Sequence, residues 1–282
     1  MYISLVIATY NSEQSLVRTL PANLGGPCDE IIIIDGFSTD NSKSLASDLS
    51  SEDLGRIVFH QTPRKGLANA RNIGTKLSSG EFIMHAGPDN ELPDHTIKAM
   101  LNALERFDLV SCGTELVEIN TYWDKAHSLY KMRYASGEQS VVGTPYMARR
   151  ELFEDYPFNE AMLNSDDTEL CQRLLQDGKR IYRCPETCLE FGFSTVPDFK
   201  ERWMRWGRGD GLFYNKMKSQ WPLWRRIKSM LRPFFAELVE PKAKLCWSQY
   251  VYCFPFLLMV FGFRYYGWIR YAIKTRRLGK YL

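Results

Sequence analysis

Two stretches of this chain share one pattern, an apolar run that passes directly into polar residues: Ser4–Asn11 reads SLVIATYN, and Ile31–Ser42 reads IIIIDGFSTDNS. Each run has the length of a buried β-strand, and each polar turn leads into a helical pattern. Strand–turn–helix units of this kind build α/β nucleotide-binding domains, whose ligands lie at the carboxyl ends of the strands. Four polar residues follow these two strands: Thr9, Tyr10, Asn11 and Asp35. They are therefore candidates for binding a nucleotide.

Strand and helix patterns alternate through the first ninety residues with short connections. This order predicts an α/β fold with a central, mostly parallel sheet, right-handed crossovers and helices on both faces. The predicted strands are Ile3–Ala8, Glu30–Ile34, Arg56–His60 and Glu81–His85, and the predicted helices are Glu13–Leu24, Asn41–Leu49 and Gly66–Ser79. Asp40, Asn41 and Ser42 form a cluster that is typical of a helix N-cap.

The middle of the chain has weaker patterns. We predict a helix over Pro93–Phe107, strands over Asp108–Val117 and Thr144–Ala148, and a helix that opens at Ser165-Asp166-Asp167 and ends at Gly178. The residues from Asn120 to Gly143 are polar and aromatic with little periodicity. We expect a mobile loop there.

Charge and aromatic content are divided unevenly along the chain. Residues 1–199 carry 18 Lys and Arg against 29 Asp and Glu, whereas residues 200–282 carry 18 Lys and Arg against 4 acidic residues. The same C-terminal segment holds 20 of the 38 aromatic residues, including six of the seven Trp. A basic, aromatic segment on an acidic body favours an anionic surface as partner. Its aromatic residues lie in apolar runs rather than between Lys and Arg, which argues against a nucleic-acid partner.

The C-terminal segment contains three helical or apolar stretches. We predict a Trp- and Arg-rich helix over Phe199–Asp210 and a basic amphipathic helix over Trp221–Phe235. Leu245–Phe263 then runs nineteen residues without a charge, which at about 1.5 Å per residue would barely cross a hydrocarbon core of about 30 Å. Its many aromatic side chains favour a segment that lies in or dips into a membrane surface. The alternatives are a membrane span and a soluble packing or oligomer surface.

The cysteines suggest a compartment. The chain has seven Cys and no CxxC pair, and its N-terminus has no obvious signal-peptide pattern, which predicts the reducing cytosol. Cys184 and Cys188 are four residues apart without a neighbouring His, so we expect buried thiols rather than metal ligands. Together with the C-terminal segment, these features predict a protein at the cytoplasmic face of a membrane, peripheral or shallowly inserted.

Two stretches are suited to phosphate and metal binding. In KGLANARNIG, Lys65–Gly74, Lys65 stands at a predicted helix start and Arg71 about two turns later, and such a helix start with cationic side chains suits phosphate oxygens. The next strand ends in HAGPDN, where Asp89 could hold a divalent metal against a diphosphate, with Asn90 as a neutral oxygen ligand. The alternative is an ordinary turn, in which Asp and Asn make local hydrogen bonds.

Three carboxylates, Asp166, Asp167 and Glu169, lie in the first turn of a predicted helix. Favourable interaction with the helix dipole explains such a pattern and would lower their pKa values. Crowding of the carboxylates acts in the opposite direction and raises at least one pKa. A base that activates a hydroxyl group needs only to be ionised and adjacent to it. On spacing alone, both a capping role and a catalytic role stay open.

Taken together, these motifs resemble those of family 2 glycosyltransferases, which have the GT-A fold, use nucleotide-diphosphate sugars and invert the anomeric carbon. The matching segments are VIATYN, IIDGFSTDNS, KGLANARNIG with SSGEFIMHAGPDNELP, GTPYMARRELFE with PFNEAM, and SDDTELCQRLLQDG, in this order over about residues 3–180. The later stretch FKERWMRWGRG is similar to the tail of bacterial members that build exopolysaccharide on lipid carriers. The resemblance implies a GT-A domain over residues 1–195 and a basic, aromatic, membrane-associating helical region over residues 196–282.

The resemblance also implies the donor site. Thr9, Asn11 and Asp35, beside Tyr10, would hold the base and ribose of the nucleotide sugar. Lys65 and Arg71 would lie near the base or the diphosphate. The Asp-x-Asp metal motif of the family reads Gly87-Pro88-Asp89 here. A Mg²⁺ or Mn²⁺ ion would therefore have one protein carboxylate, Asp89, and would rest mostly on the phosphates of the donor.

The acidic pair of the family falls on Asp166-Asp167, so the resemblance implies that Asp167 is the general base. Members of the family often have a His after the following strand, whereas this chain reads CLEFGF at Cys188–Phe193. The diphosphate site therefore lacks two groups of the family, the first Asp of the metal motif and this His. We hypothesise that the three Arg of the predicted helix Phe199–Asp210 compensate for them.

The activity that this resemblance implies is single displacement from a nucleotide-diphosphate sugar, most of all a UDP-sugar, to a hydroxyl of a glycan or lipid-linked acceptor. The segment Asn120–Gly143 would contribute to donor choice. A non-catalytic nucleotide-sugar-binding relative is the alternative, suggested by the missing metal aspartate and His. A dehydrogenase is disfavoured because no GxGxxG follows the first strand.

Overall fold

The computed structural model describes residues 1–52, 56–63, 66–132, 135–162, 165–191 and 196–278. The strands are β1 (Ile3–Thr9), β2 (Glu30–Asp35), β3 (Ile57–Gln61), β4 (Phe82–Ala86), β5 (Asn90–Glu91), β6 (Leu109–Leu116), β7 (Gly137–Glu138), β8 (Tyr146–Arg149) and β9 (Ile181–Glu190). The helices are α1 (Glu13–Leu24), α2 (Ser42–Glu52), α3 (Leu67–Leu77), α4 (Asp94–Ala103), α5 (Tyr122–Lys131), α6 (Arg150–Asp155), α7 (Asp166–Gln176), α8 (Val196–Met217), α9 (Leu223–Phe234), α10 (Glu240–Lys244) and α11 (Trp247–Leu278). A 3-10 turn, Lys218–Gln220, precedes α9, and a π-helical turn, Phe235–Val239, follows it.

Within the described residues the strands form one sheet in the order β3-β2-β1-β4-β8-β6-β9-β5, with β7 paired to β9. The first four strands of this order run parallel, β8 is antiparallel to both β4 and β6, and β6 pairs parallel with β9. The prediction of an α/β fold with a mostly parallel sheet is confirmed.

Strand register brings several chain segments to one edge of this sheet. Thr9 pairs with Asp35 at the ends of β1 and β2, and the end of β4 lies beside them because Ala86 pairs with Ile7. The antiparallel strand β8 begins at the same edge, since Tyr146 pairs with His85. The turns after β1, β2 and β4 therefore lie at the same edge as the start of β8.

The apolar runs of the sheet are buried on both faces. Successive residues of β2 pack into different clusters: Ile31 lies with Leu16 of α1, and Ile32 lies with Ala70 of α3. Helix α3 approaches β1 so closely that a Cβ atom on Gly74 would lie 2.2 Å from Cγ1 of Val6. Only glycine allows such contact, and this contact fixes the position of α3 and its side chains.

Cys184 and Cys188 of β9 are buried in the same apolar cluster as Ile31. Burial raises the pKa of the Cys184 thiol to about 12. The prediction that both residues are buried thiols is confirmed.

The chain divides into two compact units. The first unit consists of Met1–Val117, Ala135–Ala161 and Asp166–Phe191, and it contains the sheet. The second unit consists of the described residues within Glu118–Tyr134, Met162–Ser165 and Gly192–Leu282. It is helical and includes α5 and α8 to α11.

The prediction of a mobile loop over Asn120–Gly143 is wrong, because α5 and β7 lie in this segment. Helix α5 begins with a capping box: the backbone N–H of Asp124 donates to Oγ1 of Thr121 at 3.2 Å, and the backbone N–H of Thr121 donates to Oδ2 of Asp124 at 2.9 Å. Ala126, His127 and Tyr130 are buried on one face. This buried face mixes one small and two polar aromatic residues, so the apolar period of the helix is hard to recognise.

Helices α8 and α11 form the centre of the second unit and approach closely through two glycines. A Cβ atom on Gly207 would lie 1.9 Å from the carbonyl oxygen of Arg264, and one on Gly267 would lie 2.2 Å from that of Met204. Side chains other than hydrogen at these two positions would force the helices apart. A buried apolar cluster that includes Trp203 and Phe256 surrounds this crossing.

A buried polar network joins four segments of the second unit. Arg264 Nε donates to Asp210 at 2.6 Å, and Arg264 Nη1 forms an ion pair with Glu237. The hydroxyl of Tyr130 also donates to Glu237, at 2.5 Å. Among the residues that the structure describes, none of the helices combines the length and the apolar character required to span a bilayer.

Candidate active site

The strand-end residues Thr9 and Asp35 are neighbours at the sheet edge. The buried carboxylate of Asp35 accepts hydrogen bonds from the backbone N–H of Ser38 at 2.9 Å, from the hydroxyl of Ser38, and from Nε2 of Gln61 at 3.0 Å. These donors occupy three of about four lone-pair directions of a carboxylate. The buried hydroxyl of Thr9 has no hydrogen-bond partner among the described residues. Since buried hydroxyls are normally paired, Thr9 is available to a ligand.

Asn11 connects the turn after β1 to the turn after β2. Its backbone N–H donates to Oγ of Ser38 at 2.8 Å, and its Oδ1 accepts from the backbone N–H of Thr39 at 2.9 Å. Its φ of 50° lies in the left-handed region, which Asn tolerates better than most residues. Tyr10, next to Asn11, is 39% exposed. Asn11 therefore holds the two turns in one arrangement.

Asp40 secures the helices that follow these turns. Its Oδ2 accepts from the backbone N–H of Glu13 in α1 at 3.0 Å, and its Oδ1 accepts from the backbone N–H of Ser42 in α2 at 3.1 Å. The predicted N-cap cluster thus caps α2 and also satisfies a donor at the start of α1.

The turn after β4 carries Asp89. A Cβ atom on Gly87 would lie 2.3 Å from Oδ1 of Asp89, so the Asp89 carboxylate folds over the glycine. The buried Asn90 holds the turn, because its Oδ1 accepts from the backbone N–H of Gly87 at 2.8 Å. Thr19 of α1 donates to the carbonyl oxygen of Pro88 at 2.7 Å and fixes the turn to its neighbour.

The side chains available as metal ligands on this turn limit the kind of metal site that it can form. The described residues contain no group of three or more His, Cys, Asp or Glu side chains arranged to hold an ion. Mg²⁺ usually keeps several waters and binds one or two carboxylates plus substrate phosphates. Asp89 therefore fits an ion held mainly by a diphosphate and does not fit an all-protein cage.

Arg71 of α3 is buried against the start of α7. Its Nη1 forms an ion pair with Asp166, and its guanidinium carbon lies 5.6 Å from the ring centre of Tyr146 and 5.4 Å from that of Phe158. Burial opposes the charge of Arg71, but the charge of Asp166 more than compensates and raises the pKa of the guanidinium above its ordinary value. Arg71 is therefore charged and fixes the first turn of α7. Its predicted position near the base or diphosphate stays a prediction.

Aromatic rings close the site beside Arg71. His85 at the end of β4 contacts Phe153, Phe158 and Tyr146, with ring centres 4.8, 5.2 and 5.8 Å away. Burial, and then the charge of Arg71, lower the pKa of His85 well below its ordinary value. His85 is therefore neutral and packs as an aromatic ring.

Asp167 follows Asp166 in the first turn of α7 and is half-buried. Burial, and next the charge of Asp166, raise the pKa of Asp167 to about 6, although Arg71 and a hydrogen bond from the backbone N–H of Thr168 act against this shift. Above this pH the carboxylate is ionised and able to accept a proton. Its Oδ2 faces Gly143, where a Cβ atom would lie 3.6 Å away. The expected crowding effect is present, and burial is the larger cause.

The sheet edge thus gathers most of the predicted site residues. Thr9, Tyr10, Asn11 and Asp35 lie on or beside the turns after β1 and β2, Asp89 lies on the turn after β4, and Asp166 and Asp167 begin α7. Lys65 lies outside the described residues. The Arg residues of the predicted C-terminal helix, Arg202, Arg205 and Arg208, lie on α8 in the second unit. Their role at the diphosphate stays a prediction.

Three residues of the site were not predicted: Ser38, Gln61 and Tyr146. Gln61 ends β3 next to Asp35, so the strand-end argument that identifies Asp35 would also have identified Gln61. The Tyr146 hydroxyl is buried without a partner among the described residues, and burial raises its pKa well above the ordinary value. No pattern in the short strand β8 marks this tyrosine as a site residue.

A mostly parallel sheet with polar turns at one edge is typical of nucleotide-binding α/β domains, and the acidic pair at the start of α7 adds carboxylates beside such a site. The family model for glycosyl transferase family 2 matches residues 4–164, and the model for glycosyl transferase family group 2 matches residues 93–273. The chain belongs to glycosyl transferase family 2. It is a glycosyltransferase that depends on a nucleotide sugar.

Known proteins resemble the chain over most of its length. It is 22% identical over 287 residues to the poly-beta-1,6-N-acetyl-D-glucosamine synthase of Staphylococcus epidermidis, covering 96% of this chain and 68% of that protein. The mannosyltransferase PcManGT from Pyrobaculum calidifontis, in complex with GDP-Man and Mn²⁺, has a TM-score of 0.62 at 18% identity and covers 91% and 74% of the two chains. S. aureus TarS 1-349 in complex with UDP-GlcNAc has a TM-score of 0.55 at 14% identity and covers 98% and 92%. These structural likenesses establish the fold.

Proposed function

We propose that this enzyme transfers the sugar of a UDP-sugar to a hydroxyl group of a glycan or lipid-linked glycan, by single displacement with inversion. The observation that carries the proposal is Asp167, a carboxylate with a pKa of about 6 in the same unit as the strand-end turns. The UDP-GlcNAc complex of S. aureus TarS supports UDP as the nucleotide. The GDP-Man complex of the mannosyltransferase makes a GDP-sugar the competing donor.

In the proposed step, Asp167 accepts the proton of the acceptor hydroxyl while the hydroxyl oxygen attacks the anomeric carbon of the donor. The bond between that carbon and the diphosphate oxygen breaks, and the bonding electrons leave with the nucleotide diphosphate. Above its pKa of about 6, Asp167 then releases the proton to water. Arg71 orients this base indirectly through its ion pair with Asp166.

The proposed donor site uses groups that the fold leaves available. The unpartnered hydroxyl of Thr9 and the remaining lone-pair direction of Asp35 are suited to the base and ribose of the nucleotide. Asn11 keeps the two turns in register with each other.

Asp89 and the donor diphosphate would together hold a Mg²⁺ or Mn²⁺ ion, which would neutralise charge on the leaving group. Gly87→Asp supplies a second carboxylate, and the Asp89 side chain must then turn outward because the new Cβ would lie 2.3 Å from its Oδ1. We expect Mn²⁺ affinity in the presence of UDP to rise about tenfold, measured by electron paramagnetic resonance of free Mn²⁺. The control Gly87→Asn has the same shape but offers only a neutral oxygen ligand, so it should raise the affinity much less. Equal affinity in wild type and Gly87→Asp would argue against this turn as the metal site.

We further propose that the second unit associates with the cytoplasmic face of a membrane, peripherally or by shallow insertion. Residues 200–282 carry 18 basic and 4 acidic side chains and six Trp, a composition that suits an anionic lipid surface. A lipid-linked acceptor would lie at that surface.

A panel of UDP-, GDP- and dTDP-sugars tests the proposal, with Mn²⁺, Mg²⁺ or EDTA and with membrane extract as acceptor. We expect turnover of one UDP-sugar by wild type, and loss of turnover with retained binding in Asp167→Asn. Binding of a donor without turnover by wild type would instead support the non-catalytic, nucleotide-sugar-binding relative.

A further inference from the structure

Helix α9 presents a continuous apolar face to solvent. The side chains on this face are between 41% and 70% exposed: Leu223, Trp224, Ile227, Met230, Leu231 and Phe234. Counted from Leu223 they stand at i, i+1, i+4, i+7, i+8 and i+11, which places them within an arc of about 120° on one side of the helix. Scattered exposed apolar residues are common, but six on one face of a twelve-residue helix are not.

A few contacts attach α9 to its own unit. Pro233 is its buried residue, and Nε of Arg226 donates to the carbonyl oxygen of Trp221 at 2.9 Å. The hydroxyl of Tyr265 in α11 donates to the carbonyl oxygen of Met230 at 2.6 Å. On the apolar face, the ring centre of Phe234 lies 6.1 Å from that of Phe261 in α11. Helix α9 is therefore held through its polar side, its backbone and the C-terminal end of its apolar face.

Charge on α9 follows the same division. The helix carries four basic residues and no acidic one. Three of the basic side chains are exposed outside the apolar arc: Arg225 and Arg232 lie on the far side of the helix, and Lys228 borders the arc. An apolar face opposite a cationic face is typical of a helix that lies in the interface of an anionic bilayer.

The apolar run Leu245–Phe263, by contrast, is divided between the interior of the second unit and its surface. Cys253, Phe256, Leu257 and Val260 of this run are fully buried in the cluster around Trp203. Its buried side packs against α5 and α8, whereas its other side exposes Trp247, Val251, Phe254 and Leu258, which are between 40% and 69% exposed.

We propose that α9 inserts its apolar face among the headgroups of an anionic lipid bilayer and so contributes directly to the membrane contact of this enzyme. This inference rests on the proposed membrane association and names one segment responsible. Arg225, Lys228 and Arg232 pair with lipid phosphates while Trp224 and Leu231 reach the upper acyl chains. A bilayer offers acyl chains to the apolar face and lipid phosphates to the cationic side chains.

Sedimentation of the full chain with vesicles tests this assignment. Wild type should bind vesicles of phosphatidylcholine with phosphatidylglycerol, and Ile227→Glu should bind at least about tenfold more weakly because it places a carboxylate on the inserted face. Val17→Glu on α1 is the matched control, since Val17 is 51% and Ile227 is 49% exposed. Binding of Ile227→Glu equal to wild type, or equal weakening in Val17→Glu, would overturn the proposal.

A variant with fewer cationic side chains provides a second test. Removing two cations in Lys228→Gln/Arg232→Gln should weaken binding to phosphatidylglycerol vesicles by about fivefold for each charge and leave binding to pure phosphatidylcholine vesicles unchanged. Equal binding of this variant and wild type to both kinds of vesicle would contradict the anionic-lipid assignment. Light scattering distinguishes the competing occupant: self-association that Ile227→Glu abolishes, without vesicle binding by wild type, would assign the face to a second copy of the chain.

Donor hydrolysis in the same preparations, without vesicles, separates this inference from the transfer function. We expect Ile227→Glu to retain the wild-type rate. A wild type that hydrolyses donor but binds no vesicles would reject the role of α9 and leave sugar transfer standing. Vesicle binding that depends on Ile227, in a protein that turns over no donor, would support α9 and reject the transfer.

Discussion

The turn after β2 and the first turn of α7 each hold a carboxylate away from water, but the partners differ. Asp35 is fully buried and accepts three hydrogen bonds, two of them from Ser38 and one from Gln61. Asp167 is half-buried and lies beside a second carboxylate, and its pKa is raised to about 6. Hydrogen-bond donors stabilise the charged form, whereas burial and a neighbouring negative charge destabilise it. The comparison teaches that hydrogen-bond donors fix the Asp35 carboxylate in the turn, whereas burial and the neighbouring Asp166 favour proton uptake by Asp167.

Arg71 makes the second arrangement possible. Its ion pair with Asp166 compensates one of the two adjacent negative charges, so both carboxylates can stay in the first turn of α7. A buried carboxylate without such a partner would be strongly destabilising.

The largest expected effect comes from Asp167→Asn. The amide retains the size of the side chain and the acceptor for the Thr168 N–H, which lies 2.7 Å from Oδ1 of Asp167, but it cannot take up a proton. We expect single-turnover sugar transfer to fall by about 10²–10⁴-fold, with the donor dissociation constant unchanged. Rapid-quench kinetics and calorimetric titration measure the two quantities. A parallel loss of donor affinity would mean that Asp167 binds the donor rather than activating the acceptor.

The next effect concerns stability. Arg71→Met leaves Asp166 buried without its ion-pair partner, so we expect the free energy of unfolding to fall by about 3–5 kcal/mol in urea titrations. The matched control is Arg149→Met, because Arg149 and Glu81 form an ion pair at 2.8 Å with both side chains about half exposed. We expect that variant to lose less than about 1 kcal/mol. Similar losses in both variants would show that the Arg71 pair has no special structural role.

Asp167→Asn should also stabilise the fold at neutral pH. The pKa of Asp167 in the folded protein is about 6, above its ordinary value of 3.8, so the folded state holds the proton more tightly than the unfolded state. The cost of ionisation is absent below pH of about 4 and is complete above about 6. Chemical denaturation at pH 8 should therefore show the variant more stable by roughly 1–3 kcal/mol, and at pH 4 no difference should remain. A pH-independent difference would contradict the raised pKa.

Asp35→Asn should have the smallest effect. In contrast to Asp167→Asn, it should change donor affinity and leave the rate of transfer unchanged. Loss of a carboxylate acceptor for the ribose should weaken donor binding by about tenfold and leave the single-turnover rate at saturating donor unchanged. Titration with UDP measures the first quantity. Unchanged affinity for UDP would remove Asp35 from the proposed donor site.

Much of the fold could be predicted because apolar runs and turns mark its strands. Helix α1 has the predicted bounds, Glu13–Leu24, and β1 extends one residue beyond the predicted Ile3–Ala8. Helix α5 was missed because tertiary packing, rather than local apolar periodicity, buries His127 and Tyr130. Helix α11 continues well beyond the uncharged run Leu245–Phe263 because its later turns pack against α8.

The composition of the site was easier to predict than its electrostatics. Strand ends identify Thr9 and Asp35, since a parallel sheet brings such ends together. The partner of Asp166 could not be read from the sequence, because Arg71 is 95 residues away along the chain. The pKa of Asp167 depends mainly on burial, which is known only once α7 and the aromatic rings beside Arg71 are packed.

The pH dependence of single-turnover sugar transfer, measured at saturating donor for wild type and Asp167→Asn, tests the assignment of the base most directly. The wild-type rate should rise about tenfold per pH unit below a pKa of about 6 and be level above it. In Asp167→Asn the residual rate should lack this step. A wild-type rate that is level between pH 5 and 8, or a variant that retains the step, would contradict Asp167 as the base.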